Sequence, residues 1–525
     1  MQTETFEQAK KLLVSLIETF SISRQESGTA DLLCKFFKKL QLKRCVTRAG
    51  FQKKRGPSAN DMIVGAISSG FIAENIHATA NSSASKILPV CQSSMYRFME
   101  GTNGNWEQLS LNIAHEAYKK IDSLNSSREK SRYCFVFDDS ILEYPKAKKM
   151  ELCTWTFDHN EGCSVRGYSC LQMGWTDGES YLPLGSKLLA SDEESESFQK
   201  KHTQKACPDA ICKTGLDKRT HASQIRTEAE ERTKPELVVS WIKRAIKNGF
   251  KASYVLFDSW FNYESLLKNI TPLGLHVIGM LKQDHRKYYL LNNRGKASEY
   301  RTLQSIAEKM KVNSSKRKTT KINNAILFSV KVVAATANEK VSEGIKLKLV
   351  FVSNRNNPDD FVVIASTDLT LSDEQIVKYY SRRWKIEVNF ENQKQYLGLG
   401  SESISVKFDN LAAFANLSCI RASFLEFKRR IESDVRAIGT LGKCIQEQIR
   451  EMPIAQSLLF LIASITALPE VLARKKIIKE EQKKAVRREI SSLIRKWFSG
   501  LTCYVVEFIN RWKTEFKDLI PVKTI

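Results

Sequence analysis

"TKPELVVSWIKRAIKNGFKASYVLFD", from Thr233 to Asp258, decides the fold. Its first half carries the parts of an amphipathic helix: Thr233 as cap, Pro235 in the first turn, an apolar face through Leu237, Trp241 and Ala245, and Gly249 as the stop. The short apolar run Tyr254–Phe257 follows and ends on Asp258. Upstream, "YCFVFDDS" from Tyr133 is a second such run, ending on Asp138 and Asp139. Continuous apolar runs of this length suit strands buried on both faces. A strand, helix, strand order predicts an α/β core, here with carboxylates at the strand tips.

Working outward, "MELCTWTF", "CSVRGYSCLQMGW" and "YLPLGSKLLA" read as a meander of strands, with Asp177-Gly178 as the turn between the last two. Residues 191–231 are polar and mixed in charge, which predicts a long, mobile excursion over the surface. "HVIGMLK", "AILFSVKVVAAT" and "IKLKLVFVSN" add strands, with the basic stretch "SSKRKTTK" among them. The first 125 residues read as helical. "FEQAKKLLVSLIETF" is an amphipathic start, "FQKKRGP" a basic loop, and "ASKILPVCQSSMYRFMEG" a turn and a helix capped near Ser93. That pattern is open to two readings, a helix-turn-helix DNA reader and a plain helical bundle. Beyond Asp409 the chain is helical, and the basic run "RKKIIKEEQKKAVRREI" from Arg474 is either a solvated face or a DNA contact.

The composition narrows the partner. Across 525 residues, 82 Lys and Arg stand against 58 Asp and Glu, a formal charge of +24 that suits a polyanion. Nucleic acid leads and a membrane surface comes second. The polar N-terminus "MQTETFEQAK" is no signal peptide, and "SLLFLIASITALPEVLA" from Ser457 falls short of the roughly 20 apolar residues that span a bilayer. It reads as a buried helix. The 12 cysteines include no CxxC pair, which argues for reduced thiols rather than zinc. A cytoplasmic, nucleoid-associated protein is expected. No HExxH, P-loop or GxSxG occurs, and Gly398-Leu399-Gly400 lacks the third glycine of a dinucleotide site.

The stretch "YYSRRWKIEVNFENQKQ", Tyr379 to Gln395, then supplies a third acid. Ser372 and Gln375 match a capping box at the head of its helix, and Gly398 and Gly400 mark its end. On a wheel at roughly 100° per residue, Tyr380, Arg383, Glu387 and Lys394 fall within about 60° of one another. Helix pairing alone explains such charges at a few tenths of a kcal/mol. With two strand-tip aspartates nearby, the alternative is a carboxylate set for hard cations, where two ions about 4 Å apart support phosphodiester displacement.

Tyr380, Arg383, Glu387 and Lys394, spaced Y-(2)-R-(3)-E-(6)-K, resemble the signature of the IS4-type DDE transposases, and "FVFDDS" and "YVLFDSWF" resemble that family's two aspartate strands. The resemblance covers roughly residues 130 to 400. It implies an RNase H-like mixed-sheet α/β catalytic core with Asp139, Asp258 and Glu387 as catalytic metal ligands, Asp138 being the neighbouring alternative to Asp139. It implies two Mg²⁺ (or Mn²⁺) ions per site, with Tyr380, Arg383 and Lys394 gripping the phosphates of double-stranded DNA at inverted-repeat ends. A homodimer in a synaptic complex would join those ends to target DNA. The gap of about 128 residues between Asp258 and Glu387 is filled in that family by a β-rich insertion. Some members stack a flipped base on a tryptophan there; this chain has no Trp between Trp260 and Trp384, leaving Tyr288 or Tyr289 as substitutes. His159 reads as a structural neighbour of the site rather than a base.

The expected organisation is therefore a helical DNA-end-binding region at 1–125, the first part of the core at 126–270, a β-rich insertion at 271–365, the catalytic helix at 366–405, and a helical region at 406–525 suited to dimerisation. Three functions compete: an active cut-and-paste transposase, a metal-dependent nuclease without strand transfer, and a non-catalytic DNA-binding descendant. Survival of both aspartates and all four signature residues favours the first.

Overall fold

The computed structural model describes residues 37–501 apart from short internal stretches, of which 313–319 and 355–359 are the longest. The expected amphipathic start at residues 6–20, most of "SSKRKTTK" and everything after residue 501 lie outside the described residues.

The meander forms as its alternation predicts. Strands β1 (Cys134–Glu143), β2 (Thr154–Asp158), β3 (Cys163–Thr176) and β4 (Tyr181–Leu189) pair antiparallel, with Phe135 opposite Trp175 and Asp138 opposite Gln172. The β3–β4 turn is closed by Asp177, whose carboxylate accepts the backbone N–H groups of Glu179 and Ser180, and by Gly178 at φ +102°. On the other edge of β1, β5 (Tyr254–Phe257) runs parallel, and β6 (His276–Leu281) runs parallel to β5. The central order is thus β3-β1-β5-β6, with β4 on β3. This is the mixed α/β architecture that the resemblance implies.

The strand at His276 departs from the expected boundary. Assigned above to the head of the insertion, it is a core strand locked between β5 and a returning strand. The β-rich segment leaves after β6 as β7 (Lys287–Leu291), β8 (Ala297–Thr302), β9 (Thr320–Ile322), β10 (Ala325–Ala334) and β11 (Ile345–Asn354). It comes back through β12 (Phe361–Ser366), which pairs antiparallel with β6. The added strands therefore extend the core sheet to 12 strands.

Helices cover both faces. Before the sheet come α1 (Leu42–Arg48), α2 (Ala59–Ile72), α3 (Ile76–Ala80), α4 (Gln92–Met99) and α5 (Trp106–Leu124). Next come α6 (His221–Glu230), α7 (Lys234–Lys247), α8 (Glu264–Ile270) and α9 (Leu303–Val312). After the sheet follow α10 (Asp373–Tyr380), α11 (Trp384–Tyr396), α12 (Phe408–Ile431), α13 (Ile438–Arg474) and α14 (Glu480–Ser499). One face buries Phe135, Phe137 and Trp175 against Trp241 of α7 and Tyr118 of α5, with ring centroids 6.2 Å apart for Phe137 and Trp241. The other buries Val136, Leu256 and Ile278 against Tyr379, Ile386 and Phe390 of α10 and α11. The α1–α5 helices share the first face's core. The polar 191–231 segment, expected as a mobile excursion, contains α6, whose Arg226 is buried and paired with Glu151 and Asp409 at 2.8 Å each. Charge rather than apolar surface anchors it.

Candidate functional site

Side chains alternate along a strand, and β1 shows what that does to its acidic pair. Phe135 and Phe137 face α7, while Cys134 and Val136 face α10 and α11. Asp138 therefore falls on the α11 side and Asp139 on the α7 side. Their bonds agree. Arg383 Nη1 donates to Asp138 Oδ2 at 2.9 Å, whereas Asp139 Oδ2 accepts from Lys234 Nζ at 2.7 Å and from Ser169 Oγ at 2.8 Å. Gln172, opposite Asp138, bonds to Asn389 and Gln393 of α11 at 2.6 and 2.9 Å.

Parallel pairing sets Leu256 of β5 level with Val136, so Asp258, two residues on, falls on the α11 side as well. Glu387 reaches the same space from α11 and pairs with Arg383. Of the expected trio of Asp139, Asp258 and Glu387, the last two thus share the α11 side with Asp138, and Asp139 enters from the α7 side. The two-residue period of the strand separates the two neighbours. All four carboxylates line one open cavity of ≈ 740 Å³, together with Ser169, Lys234, Arg383 and Lys394.

The helix expected to carry Tyr380, Arg383, Glu387 and Lys394 is divided. Its α-helical course breaks after Tyr380, Ser381–Arg383 form a 3₁₀ turn, and α11 begins at Trp384. Ser381 Oγ donates to the Lys378 carbonyl at 2.8 Å, competing for the acceptor that an unbroken helix would give to the Arg382 N–H. Helical dihedrals persist at Tyr380 and Arg383, so the axis continues. The capping box of Ser372 and Gln375 is present, and Gly398 and Gly400 have positive φ beyond the helix end. Arg383, Glu387 and Lys394 line the cavity, and Lys394 Nζ donates to the Ile141 carbonyl at 3.0 Å. Tyr380 is not part of the cavity lining; the Arg383 guanidinium carbon lies over its ring, 5.7 Å from the centroid.

The electrostatics favour a cation. Burial pushes the Asp138 carboxyl up to about 7; the Arg383 guanidinium opposes that rise, and the facing charges of Asp139 and Asp258 add to it. Asp138, Asp258 and Glu387 offer oxygen donors only, which fits a hard divalent cation. Among the described residues, no three His, Cys, Asp or Glu side chains are drawn together tightly enough to hold an ion, and Arg383 bridges Asp138 and Glu387. The donor set fits such an ion in chemistry and charge.

Sequence reading missed Lys234 as part of this cavity, because the helix-start pattern explained its neighbours. It also missed an aromatic rim. Phe157, His159 and Trp260 border the carboxylates with successive ring centroids 4.9 Å apart, and Trp260 is 58% exposed. His159 is thus a ring neighbour at the cavity edge. Of the two tyrosines considered as substitutes for an insertion tryptophan, Tyr288 is buried and Tyr289 is stacked on Tyr300 at 4.3 Å. Among the described residues no helix is long and apolar enough to cross a membrane, and the apolar stretch at Ser457 lies within α13.

Residues 84–316 match the family described as "DDE superfamily endonuclease", and residues 218–427 match the family described as "Archaeal putative transposase ISC1217". The first span contains Asp138 and Asp139, the second contains Glu387, and both contain Lys234 and Asp258. No curated protein matches the chain. The two matches support a DDE transposase with nuclease chemistry on DNA.

Proposed function

With these matches and the acid cavity as premise, we propose that the protein is an IS4-type DNA transposase that moves an insertion sequence by cut-and-paste at inverted-repeat ends. The observation that carries this is the convergence of Asp138, Asp258 and Glu387 on one side of one cavity, with Arg383 and Lys394 beside them. Asp138, Asp258 and Glu387 would hold divalent cations, Mg²⁺ or Mn²⁺, which when bound activate a water or 3′-hydroxyl and stabilise the leaving oxygen. Side-chain alternation along β1 supports Asp138 over Asp139 as the first carboxylate.

The chain's own residues supply the rest. Arg383 and Lys394 take backbone phosphates and hold the scissile bond over the carboxylates, with Tyr380 stiffening Arg383. When a phosphate takes Arg383, the guanidinium leaves Asp138 and Glu387 and frees the carboxylate oxygens that would hold the ions. The positive surface of a +24 chain gathers duplex DNA through phosphate neutralisation. Two protomers in a synaptic complex bring two ends together, and each freed 3′-hydroxyl attacks a target phosphate in line, forming the new P–O bond as the bond to the target strand's own 3′-oxygen breaks.

The test is a supercoiled plasmid carrying this gene with its native flanks, incubated with purified protein and Mg²⁺. Release of a fragment bounded by inverted repeats, and its insertion into a second plasmid, is the expected result. Cutting without joining identifies a nuclease, and binding without cutting a non-catalytic descendant; either overturns the proposal.

A further inference from the structure

Lys234 sits where a lysine is electrostatically disfavoured. It is in the first turn of α7, close to the positive end of the helix dipole, where acids are the stabilising residues. The helix start does not need it, since Thr233 and Glu236 complete the capping box. Its side chain, 38% exposed, crosses to Asp139 at the edge of the acid cavity. A half-exposed ion pair of this kind contributes about 0–1 kcal/mol, roughly what the dipole takes away. Stability therefore leaves the residue unexplained.

The cavity gives it a use. Arg383 and Lys394 stand on the α11 side, and Lys234 is the cation contributed from the α7 side. An ammonium has three donors. Among the described residues its one hydrogen-bond partner is Asp139, whose accepting oxygen is also fixed by Ser169. Asp139, turned away from Asp138 by the strand period, thereby acquires a role of its own.

We propose that Lys234 is a phosphate-binding residue of the cavity, taking a second DNA backbone phosphate on the lip opposite Arg383 and Lys394, and that Asp139 and Ser169 position it. This rests on the cavity being a DNA-cutting site. Phosphates held from both sides fix the strand across the carboxylates, which one lip alone leaves free to swing.

The experiment measures initial rates of Mg²⁺-dependent nicking of the same plasmid over a range of DNA concentrations. Losing one charge-assisted hydrogen bond raises KM about tenfold in Lys234→Gln, with kcat within about threefold. Lys234→Arg restores KM to within about threefold of wild type, because the guanidinium also binds phosphate. The Asp139→Asn/Lys234→Gln double variant separates phosphate binding from mere neutralisation of Asp139: the raised KM persists if Lys234 binds DNA and returns to the wild-type value if it does not. Thermal melting of each variant reports folding. Wild-type cutting with an unchanged KM in Lys234→Gln, or KM recovery in the double variant, overturns the inference alone. A folded wild-type protein that shows no metal-dependent cutting overturns the reading of the site, and this inference with it.

Discussion

Removing Arg421 should loosen the whole assembly behind the cavity. The side chain is fully buried in α12 and pairs with Glu402, itself fully buried. Its guanidinium also donates to the carbonyls of Ala66 at 2.7 Å and Ile67 at 3.1 Å in α2, and of Leu397 at 3.1 Å just past α11. One planar fork thus ties the N-terminal helices to the exit of α11. Gly70 permits the approach, since a Cβ there would lie 2.2 Å from the guanidinium carbon. Arg421→Ala strands a buried carboxylate and three carbonyls, a loss of about 3–5 kcal/mol. At about 2 °C per kcal/mol for a large unit, the melting temperature falls by roughly 6–10 °C. Burial already raises the Glu402 carboxyl above its usual range, against the pull of Arg421. An acid raised by burial binds its proton up to a higher pH in the folded than in the unfolded state, so its contribution to stability falls as pH rises through that window. The deficit of Arg421→Ala is therefore largest near neutrality and shrinks as pH falls. Replacing Glu402 as well, in Arg421→Met/Glu402→Met, costs less than the single change because no charge is left unpaired. Circular-dichroism melts at two pH values read all of this. An Arg421→Ala melting temperature within about 2 °C of wild type at neutral pH would refute the reasoning.

Arg383→Ala should weaken binding to end DNA and lower the slope of log affinity against log salt by about 0.9, one phosphate's worth; an unchanged slope in fluorescence-anisotropy titrations assigns Arg383 a structural role only. Gly178→Ala should destabilise by roughly 1–3 kcal/mol through the φ of +102° and a Cβ placed 2.8 Å from the Arg382 guanidinium carbon, and a melt matching wild type counts against that turn geometry. Hydrogen bonds from the Ser93 and Ser94 hydroxyls lower the exposed Cys91 thiol to about 7, so its alkylation by iodoacetamide should reach half its maximal rate near that pH. A midpoint near the ordinary thiol value, about 8.5, contradicts it.

The sequence made the sheet legible where local pattern and tertiary demand agreed. The apolar runs ending at Phe137 and Phe257 became parallel neighbours because nothing but burial on both faces satisfies them. The Asp177-Gly178 turn and the helix from Thr233 were readable because each depends on residues with a single local use. The boundary at His276 was not, since a strand at the sheet's fifth place and a strand of an insertion have the same pattern. Arg226 escaped because its partners, Glu151 and Asp409, lie far off in sequence. The acids at 138 and 139 mark the limit most sharply. That an acid stood at this strand tip was visible, but which of the two faces α11 depends on the face that α11 covers, and only Cys134 and Val136 packed beneath α10 and α11 reveal that. Lys234 was hidden in the same way, its partner lying across the sheet on β1.

The measurement that bears most directly on this account is Mg²⁺-dependent nicking of the plasmid by wild type, Asp138→Asn, Asp258→Asn and Glu387→Gln, with binding to the same DNA followed in parallel. The account predicts that wild type cuts, that each of the three variants loses cutting by about a thousandfold or more, and that all three still bind DNA. Cutting at the wild-type rate by any one of them, and by Asp138→Asn above all, would contradict it.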